Sequence, residues 1–234
     1  MVDVVILAVT RLSSGVCVAG ITDNGKWIRP TRPNYNKTWR QLEFDDCKNT
    51  NSDWIVKKGN IVRMDIREHI PSGFHTEDYL IGSQKPELLK TLSEKEYVSI
   101  CEEYSEKSVS VLEQVNSQRS LMLVRPEEIT AFSFQHETNR KGKDSFVPRC
   151  TFKSGNLWEN NIGITDAEWR SFSRQYAKEH SKKIVCSKEV FDALGTQQCW
   201  FTIGKNMVES NEYLLVVGIH LFPIQNFAMD FDRT

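Results

Sequence analysis

The sequence predicts a mainly β protein with a few helices, a β-rich α+β chain that begins with a small barrel. Short apolar and β-branched runs alternate with Gly, Asn and Pro turn signals from Val4 to Ile66, which is typical of a small barrel. Two later segments combine a capping box with helical spacing of apolar residues. The 234 residues, 39% of them hydrophobic, are enough for a core and for two modules of about 100 residues.

The first strands follow from local patterns. Val4–Val9 is a continuous apolar run, typical of a strand buried on both faces. Val16–Ile21 follows a turn cluster, and Asn24-Gly25 before Trp27 predicts a hairpin. Pro30 and Pro33 end the third strand, and two further strands are expected on either side of Lys58-Gly59. These strands form the predicted first barrel, residues 1–84.

A helical connector is predicted over residues 85–118. Ser93 and Glu96 form a capping box, and Tyr97 and Cys101 recur at helical spacing on its apolar face. The segment is rich in acidic residues, which indicates a solvated helix face, although the same face could dock a partner.

The remaining residues, 119–234, are predicted to form a second, β-rich domain with an inserted helix at 166–180. Thr165 and Glu168 provide the second capping box. The predicted strands lie around this helix, at Ser120–Pro126, Ile129–Gln135, Phe146–Lys153, Cys199–Ile203 and Tyr213–Leu221, with a basic hairpin tip at residues 139–143.

Composition excludes several classes of protein. The formal net charge is -1, so no global field draws the chain to nucleic acid or a membrane surface. The N-terminal apolar run is short and has no basic leader, and no stretch approaches the ~18 apolar residues of a membrane span. Six dispersed cysteines without a C-x-x-C pair indicate small buried residues and no zinc site. We expect a soluble cytoplasmic protein with no membrane partner, no metal and no cofactor.

Catalytic motifs are missing from the sequence. There is no G-x-S-x-G, Walker A, G-x-G-x-x-G or H-E-x-x-H pattern, and the five histidines are scattered. The sequence therefore favours a binding protein over an enzyme. One alternative stays open, a metal-dependent hydrolase that uses His75, Asp78, Asp230 or Asp232.

Two basic and aromatic segments predict a nucleic-acid site. Residues 26–40 contain five cations, three aromatic residues and no acid, and cations beside stacking rings suit single-stranded nucleic acid. The first segment supplies Lys26, Trp27, Arg29, Arg32, Tyr35, Lys37, Trp39 and Arg40. The second supplies Arg140, Lys141, Lys143 and Arg149, with Lys153 and Trp158 nearby. Structural alternatives are a buried Trp27, an Arg29 salt bridge and an ordinary exposed loop at 139–143.

Several segments resemble one known family. Cys17-Val18-Ala19-Gly20 followed by Trp27-Ile28-Arg29-Pro30 resembles the opening of the bacterial dual OB-fold domain proteins. His75–Ile81, Leu123–Pro126 and Gly163–Trp169 are similar to its later signatures. The resemblance implies two tandem OB-like β-barrels with a nucleic-acid role, and it carries no catalytic residues.

The combined prediction is a non-catalytic protein that binds single-stranded or structured RNA or DNA through tandem OB-like barrels. The family resemblance and the basic-aromatic residues point to the same role, since OB barrels commonly bind oligonucleotides or oligosaccharides. One alternative is a protein-interaction adaptor or inhibitor in a bacterial or phage defence or counter-defence system. The other is the metal-dependent nucleic-acid-processing hydrolase named above.

Overall fold

The computed structural model of the chain describes residues 1–11, 15–32, 41–73, 75–113, 119–138, 144–180, 183–208 and 211–231. Contacts within the chain group it into two compact units. The first contains Met1–Tyr104 with Leu112–Leu121, and the second contains Ser105–Val111 with Met122–Thr234. The domain boundaries drawn from the sequence, at residues 84 and 118, stay a prediction.

The first unit contains a seven-stranded sheet among the described residues, in the order β5-β6-β3-β2-β1-β4-β7. It also contains a 3₁₀ turn at Phe44–Cys47 and the helix α1 (Glu94–Tyr104), whereas the short helix α2 (Ser110–Glu113) has its first two residues in the second unit and its last two in the first. The strands are β1 (Val2–Arg11), β2 (Val16–Ile21), β3 (Trp27–Thr31), β4 (Asn60–Met64), β5 (Ile66–His69), β6 (Asp78–Ile81) and β7 (Glu87–Thr91).

Six of these strands close into a barrel because β4 and β5 are halves of one bent strand. Only Asp65 separates them, and β4 pairs with β1 while β5 pairs with β6. β3 joins β6 in parallel, with Arg29 opposite Asp78. With β4 and β5 counted as one strand, the barrel has five strands. The parallel pairing joins its third strand, β3, to its last strand, β6. The carboxylate of Asp65 lies where a Cβ on Gly82 would be, so any other residue at this position after β6 would displace that carboxylate.

Several predicted elements of the first unit are confirmed. β1 is buried over Val4–Thr10, as its continuous apolar run predicts, and the β2–β3 hairpin turns at Gly25 with φ 75°. Glu96 accepts the backbone N–H of Ser93 at 3.0 Å, which is the half of the predicted capping box that Glu96 provides, and the Ser93 hydroxyl donates to the same carboxylate at 2.7 Å. Tyr97 lies against Gly59, so α1 packs on the strands of its own unit. The strand expected before Lys58 is wrong, because Trp54 makes only an isolated bridge to Lys48.

The second unit contains an eight-stranded sheet among the described residues, in the order β13-β10-β11-β12-β15-β14-β9-β8. Its helices are α3 (Ala167–His180) and α4 (Ser187–Leu194). The strands are β8 (Ser105–Glu106), β9 (Leu121–Val124), β10 (Glu128–Thr138), β11 (Asp144–Ser154), β12 (Leu157–Ile164), β13 (Ile184–Cys186), β14 (Gln198–Val208) and β15 (Asn211–Phe222).

The second unit repeats the strand connectivity of the first. β10, β11 and β12 form an antiparallel meander, β12 pairs in parallel with β15, and β15 pairs with β14. Two strands together take the position of the fourth barrel strand. β13 pairs with the first strand, β10, and β14 pairs with the last strand, β15. α3 lies between the third strand and this shared fourth strand. The fold is therefore mainly β with two OB-like barrels, as predicted.

The cap of α3 lies one residue later than the sequence predicts. Asp166, not Thr165, accepts the backbone N–H of Trp169 at 2.8 Å through Oδ1. Its Oδ2 accepts the N–H of Ile219 on β15 at 2.9 Å. This carboxylate is fully buried, and it fastens the start of the helix to the sheet.

The cysteines agree in part with the expectation of small buried residues. All six are free, and Cys47, Cys101 and Cys150 are buried. Cys17 and Cys199 are half-buried, and Cys186 is exposed. The prediction is therefore right for three positions and wrong for Cys186.

Candidate nucleic-acid interface

The structure describes five of the twelve predicted site residues, and they are divided between the two units. Four lie on or beside β3 in the first unit, and Arg149 lies on β11 in the second. The described residues are Lys26, Trp27, Arg29, Arg32 and Arg149; Tyr35, Lys37, Trp39, Arg40, Arg140, Lys141 and Lys143 lie outside the described part of the chain.

Arg29 holds a buried carboxylate. Its Nε lies 2.5 Å from Oδ1 of Asp78, and the two side chains are 15% and 2% exposed. The parallel pairing of β3 with β6 brings them together, because it sets Arg29 directly opposite Asp78. The structural salt bridge considered for this arginine is therefore present, and most of its positive charge is compensated within the barrel.

Arg32 makes a second pairing of the same kind. Its Nε and Nη2 contact the two carboxylate oxygens of Asp46 at 2.6 and 2.5 Å, a bidentate arrangement. Asp46 is 5% exposed and also accepts the N–H of Glu43. Arg32 itself is 44% exposed, so its outer surface reaches solvent while its guanidinium edge is occupied by Asp46.

Lys26 and Trp27 are placed differently from the two arginines. Trp27 is half-buried, and Lys26 is exposed with its Nζ 5.0 Å from the ring centre of Tyr79. The ring of His69 stacks on Tyr79, with 4.7 Å between centroids. Of the three described cations on or beside β3, Lys26 is therefore the best placed to bind an anion.

Among the residues of the hydrolase alternative, His75 lies beside Ser120, which also bonds the neighbouring Glu77. Glu77 accepts the N–H groups of Ser120 and Leu121 at 2.6 and 3.1 Å and the hydroxyl of Ser120 at 3.0 Å. His75 Nδ1 lies 2.8 Å from the same hydroxyl. Burial, and then the positive charge of Arg29, lower the pKa of His75 to about 3. The serine thus lies between histidine and carboxylate, whereas a catalytic triad places the histidine in the middle.

Asp230 is also in a structural contact. It is 8% exposed, its carboxylate lies 2.7 Å from Nε of Arg174, and its N–H donates to the carbonyl of Ala167. Asp230 is therefore buried in an ion pair and is not a free metal ligand. Asp232 lies outside the described residues. The described residues contain no group of three potential metal ligands.

An exposed aromatic residue marks one face of the second barrel. Trp158 on β12 is 45% exposed and lies directly opposite Lys153 on β11. Lys153 is 36% exposed and contacts Glu127 at 3.1 Å. From the sequence, Trp158 is predicted only as a neighbour of the basic segment. Its exposure was not readable from the pattern, because both Leu157 and Trp158 are apolar and only one can face the core.

Arg149 lies further along the same face of β11. Residues 149, 151 and 153 alternate with the buried Cys150 and Phe152. Arg149 Nη1 donates to the carbonyl of Asn161 on β12 at 2.9 Å. The β10–β11 ladder continues to the pair Thr138 and Asp144, which flank the basic segment 139–143. Aromatic, cationic and amide side chains therefore share one surface, called here the β11–β12 face and defined by Arg149, Thr151, Lys153, Trp158, Asn160 and Asn161.

The strand order of each unit and the position of this face define a protein built of two OB-like barrels. The family model of the dual OB-containing domain matches residues 2–187, and the chain belongs to that family. No curated protein matches the chain. None of the described helices is long and apolar enough to cross a membrane.

Proposed function

We propose that the protein binds single-stranded nucleic acid on the β11–β12 face of its second barrel, without catalysing a reaction on it. The observation that carries this proposal is the exposed Trp158 opposite Lys153 on the second and third strands of an OB-like barrel. This is the face on which OB barrels commonly take oligonucleotides.

Each element of the face has a physical role in such a complex. The ring of Trp158 offers a surface on which an unstacked base can lie, worth roughly 1–3 kcal/mol. Lys153 lies across the ladder from it and can contact the adjoining phosphate. From Lys153 to Val147 the strand extends by about 20 Å, at roughly 3.3 Å per residue, toward the basic segment 139–143. A strand of several nucleotides fits along this length.

In our proposal, the first barrel contributes less to nucleic-acid binding than the sequence predicts. Arg29 and Arg32 bind buried carboxylates, so they support the fold. Lys26, Lys37 and Arg40 stay candidate phosphate contacts, and Tyr35 and Trp39 stay candidate stacking residues. A preference for single strands follows from stacking, since a paired base does not present its ring to a side chain. The choice between RNA and DNA, and the cytoplasmic location, stay predictions.

The test is fluorescence anisotropy with nuclease-treated protein and labelled single-stranded RNA and DNA across a salt series. The Trp158→Ala substitution should weaken oligonucleotide binding about 5- to 100-fold. Trp158→Phe should retain most of the affinity, because a ring can still stack on a base. Leu88→Ala, at an exposed apolar residue of the first unit, is the matched control. Unaltered binding by Trp158→Ala, or no binding at low salt, would remove this proposal.

A protein-docking function is the second candidate, favoured by strand β7. All five of its residues are exposed, including Leu88 at 40% and Leu89 at 37%, and it pairs only with β4 among the described strands. An edge strand of this kind can accept a strand of a partner. A stoichiometric partner that stays bound through nuclease and high salt, and that is lost with Leu88→Lys, would favour this function.

A further inference from the structure

The surface of the β11–β12 face continues onto β15. Arg149 pairs with Gly163, and Gly163 pairs in turn with Leu215 on β15. A Cβ placed on Gly163 would lie 3.1 Å from Cδ2 of Leu215 and 3.9 Å from Cγ1 of Val147. Because paired residues point to one side of a sheet, the side chain of Leu215 lies on the same side as that of Arg149. Gly163 adds no side chain between them, so the surface stays shallow there.

Tyr213 is an exposed aromatic residue of this continued surface. It lies two residues before Leu215 on β15, so its side chain points to the same side of the sheet, and it is 37% exposed. Continuing the parallel register of Gly163 and Leu215 by two residues sets Tyr213 level with Asn161, three positions after Trp158. The Cα atoms of Trp158 and Tyr213 are then roughly 11 Å apart, given about 3.3 Å per residue and about 4.8 Å between strands.

The start of β15 is held by β14. Residues 211–214 pair with β14, and the ladder of β15 with β12 begins only at Leu215. These four residues are called here the β15 extension. Beside them β12 carries a β-bulge, in which Thr151 faces both Asn160 and Asn161, and Asn161 has a φ of 56°. A bulge bends the strand that carries it, so β12 bends where the β15 extension lies.

The side of the β15 extension that carries Tyr213 has no carboxylate among the residues that the structure describes. Asn206 lies opposite Tyr213 on β14, and Asn211 lies two residues before it, so amide groups flank the ring. Glu212 points to the opposite side, where its carboxylate contacts Nζ of Lys205 at 2.7 Å. A polyanion therefore meets a ring and two amides on this side, and no acidic side chain of the extension.

We infer that Tyr213 is a second stacking residue, so that the protein holds two bases of one strand, one on Trp158 and one on Tyr213. This inference rests on the proposed function, which it extends from one contact to a ligand of minimum length. A stacked strand advances about 3.4 Å per nucleotide, so roughly four nucleotides reach from one ring to the other. Arg149, whose Nη1 lies 2.9 Å from the carbonyl of Asn161, is placed between the rings to meet a phosphate. The ligand class is thus a single strand of at least about four nucleotides, and not a mononucleotide or dinucleotide.

The experiment measures fluorescence anisotropy of the whole chain with a labelled strand of eight thymidines. Tyr213→Leu should weaken binding about 5- to 100-fold, because leucine keeps an apolar side chain and offers no ring. Tyr213→Phe should retain most of the affinity. Met207→Ala is the matched control, since Met207 is 45% exposed and follows Asn206, so it points to the other side of the same strand pair. It should leave the affinity unchanged, and the melting temperature of each variant reports on its fold.

A second strand separates stacking from charge. It has the same eight phosphates but a single central thymine, with abasic sugars at the other positions. Tyr213→Leu should weaken its binding less than about 2-fold, because the one base can stack on Trp158 instead. The large effect of the substitution should therefore need two bases, and not only the length or charge of the strand.

The outcomes distinguish the two proposals. Absence of wild-type binding to either strand would remove the proposed function itself. Binding that is weakened by Trp158→Ala but not by Tyr213→Leu would overturn the role of Tyr213 alone. An equal loss for both strands in Tyr213→Leu, or a loss of the same size in Met207→Ala, would also overturn it.

Discussion

Arg29 and Asp78 lie 49 residues apart in the chain, and the guanidinium Nε of the first contacts the carboxylate of the second at 2.5 Å. Parallel pairing of the third and last strands of the first barrel makes this contact. It joins the Trp27–Pro30 segment to the His75–Ile81 segment, two segments that resemble the family. Both segments therefore contribute one residue to this ion pair within one barrel.

We expect Arg29→Ala to destabilise the protein by about 3–5 kcal/mol, because it leaves the carboxylate of Asp78 buried without its partner. Urea unfolding of wild type and variant gives the value. Asp78→Asn and the double variant complete a cycle, in which the double variant should cost less than the two single changes added together. Full additivity would show that the pair contributes no coupling.

We expect Asp166→Ala to cost about 2–4 kcal/mol in free energy of unfolding. Loss of a helix cap costs about 1 kcal/mol, and the N–H of Ile219 is left buried without an acceptor at about 1–3 kcal/mol. Asp166→Asn is the informative control, since its amide oxygen can still cap α3 but cannot also serve Ile219. Thermal unfolding should rank wild type above Asn and Asn above Ala; equal melting temperatures for Asn and Ala would contradict this.

Much of the fold was predictable because several segments carry complete local signals. β1 is apolar on both faces, Gly25 turns the first hairpin, and Ser93 with Glu96 marks the start of α1. β7 was missed since all its residues are exposed, which removes any alternation. β12 was missed because its bulge at Asn161 interrupts the two-residue period.

The candidate site was harder to predict because charges are neutralised from far along the chain. The run 26–40 contains no acid, yet Asp46 and Asp78 reach its arginines from 14 and 49 residues away. A count of charge within a window cannot include such partners. The two arginines therefore predict a basic surface from the sequence, whereas in the fold each is paired with a buried carboxylate.

Lys153 and Glu127 give a prediction about the strength of binding. Lys153→Ala should reduce the slope of log affinity against log salt by about 1, since one phosphate contact is lost. Glu127→Gln should instead strengthen binding, because it releases the lysine from its 3.1 Å contact and removes a negative charge beside the strand. A salt series on both variants measures the slopes, and a weaker Glu127→Gln complex would contradict the proposed phosphate contact.

His75 gives a prediction about stability and pH. Burial, followed by the charge of Arg29, lowers the pKa of His75 from 6.5 to about 3 in the folded state. Between these two pH values the unfolded chain binds a proton at this residue that the folded chain does not, so stability falls as the pH falls.

His75→Gln should remove that loss, because an amide does not titrate. The melting temperature of wild type should therefore decrease more steeply than that of His75→Gln between pH 7.5 and 5. The carboxyl of Glu77, whose pKa burial raises above its usual 4.5, affects stability with the opposite sign, and it is present in both proteins, so the comparison of the two slopes isolates His75. Ser120→Ala, which removes the hydrogen bond but keeps the imidazole, should retain the steep slope. Parallel curves for wild type and His75→Gln would assign the acid sensitivity to other groups.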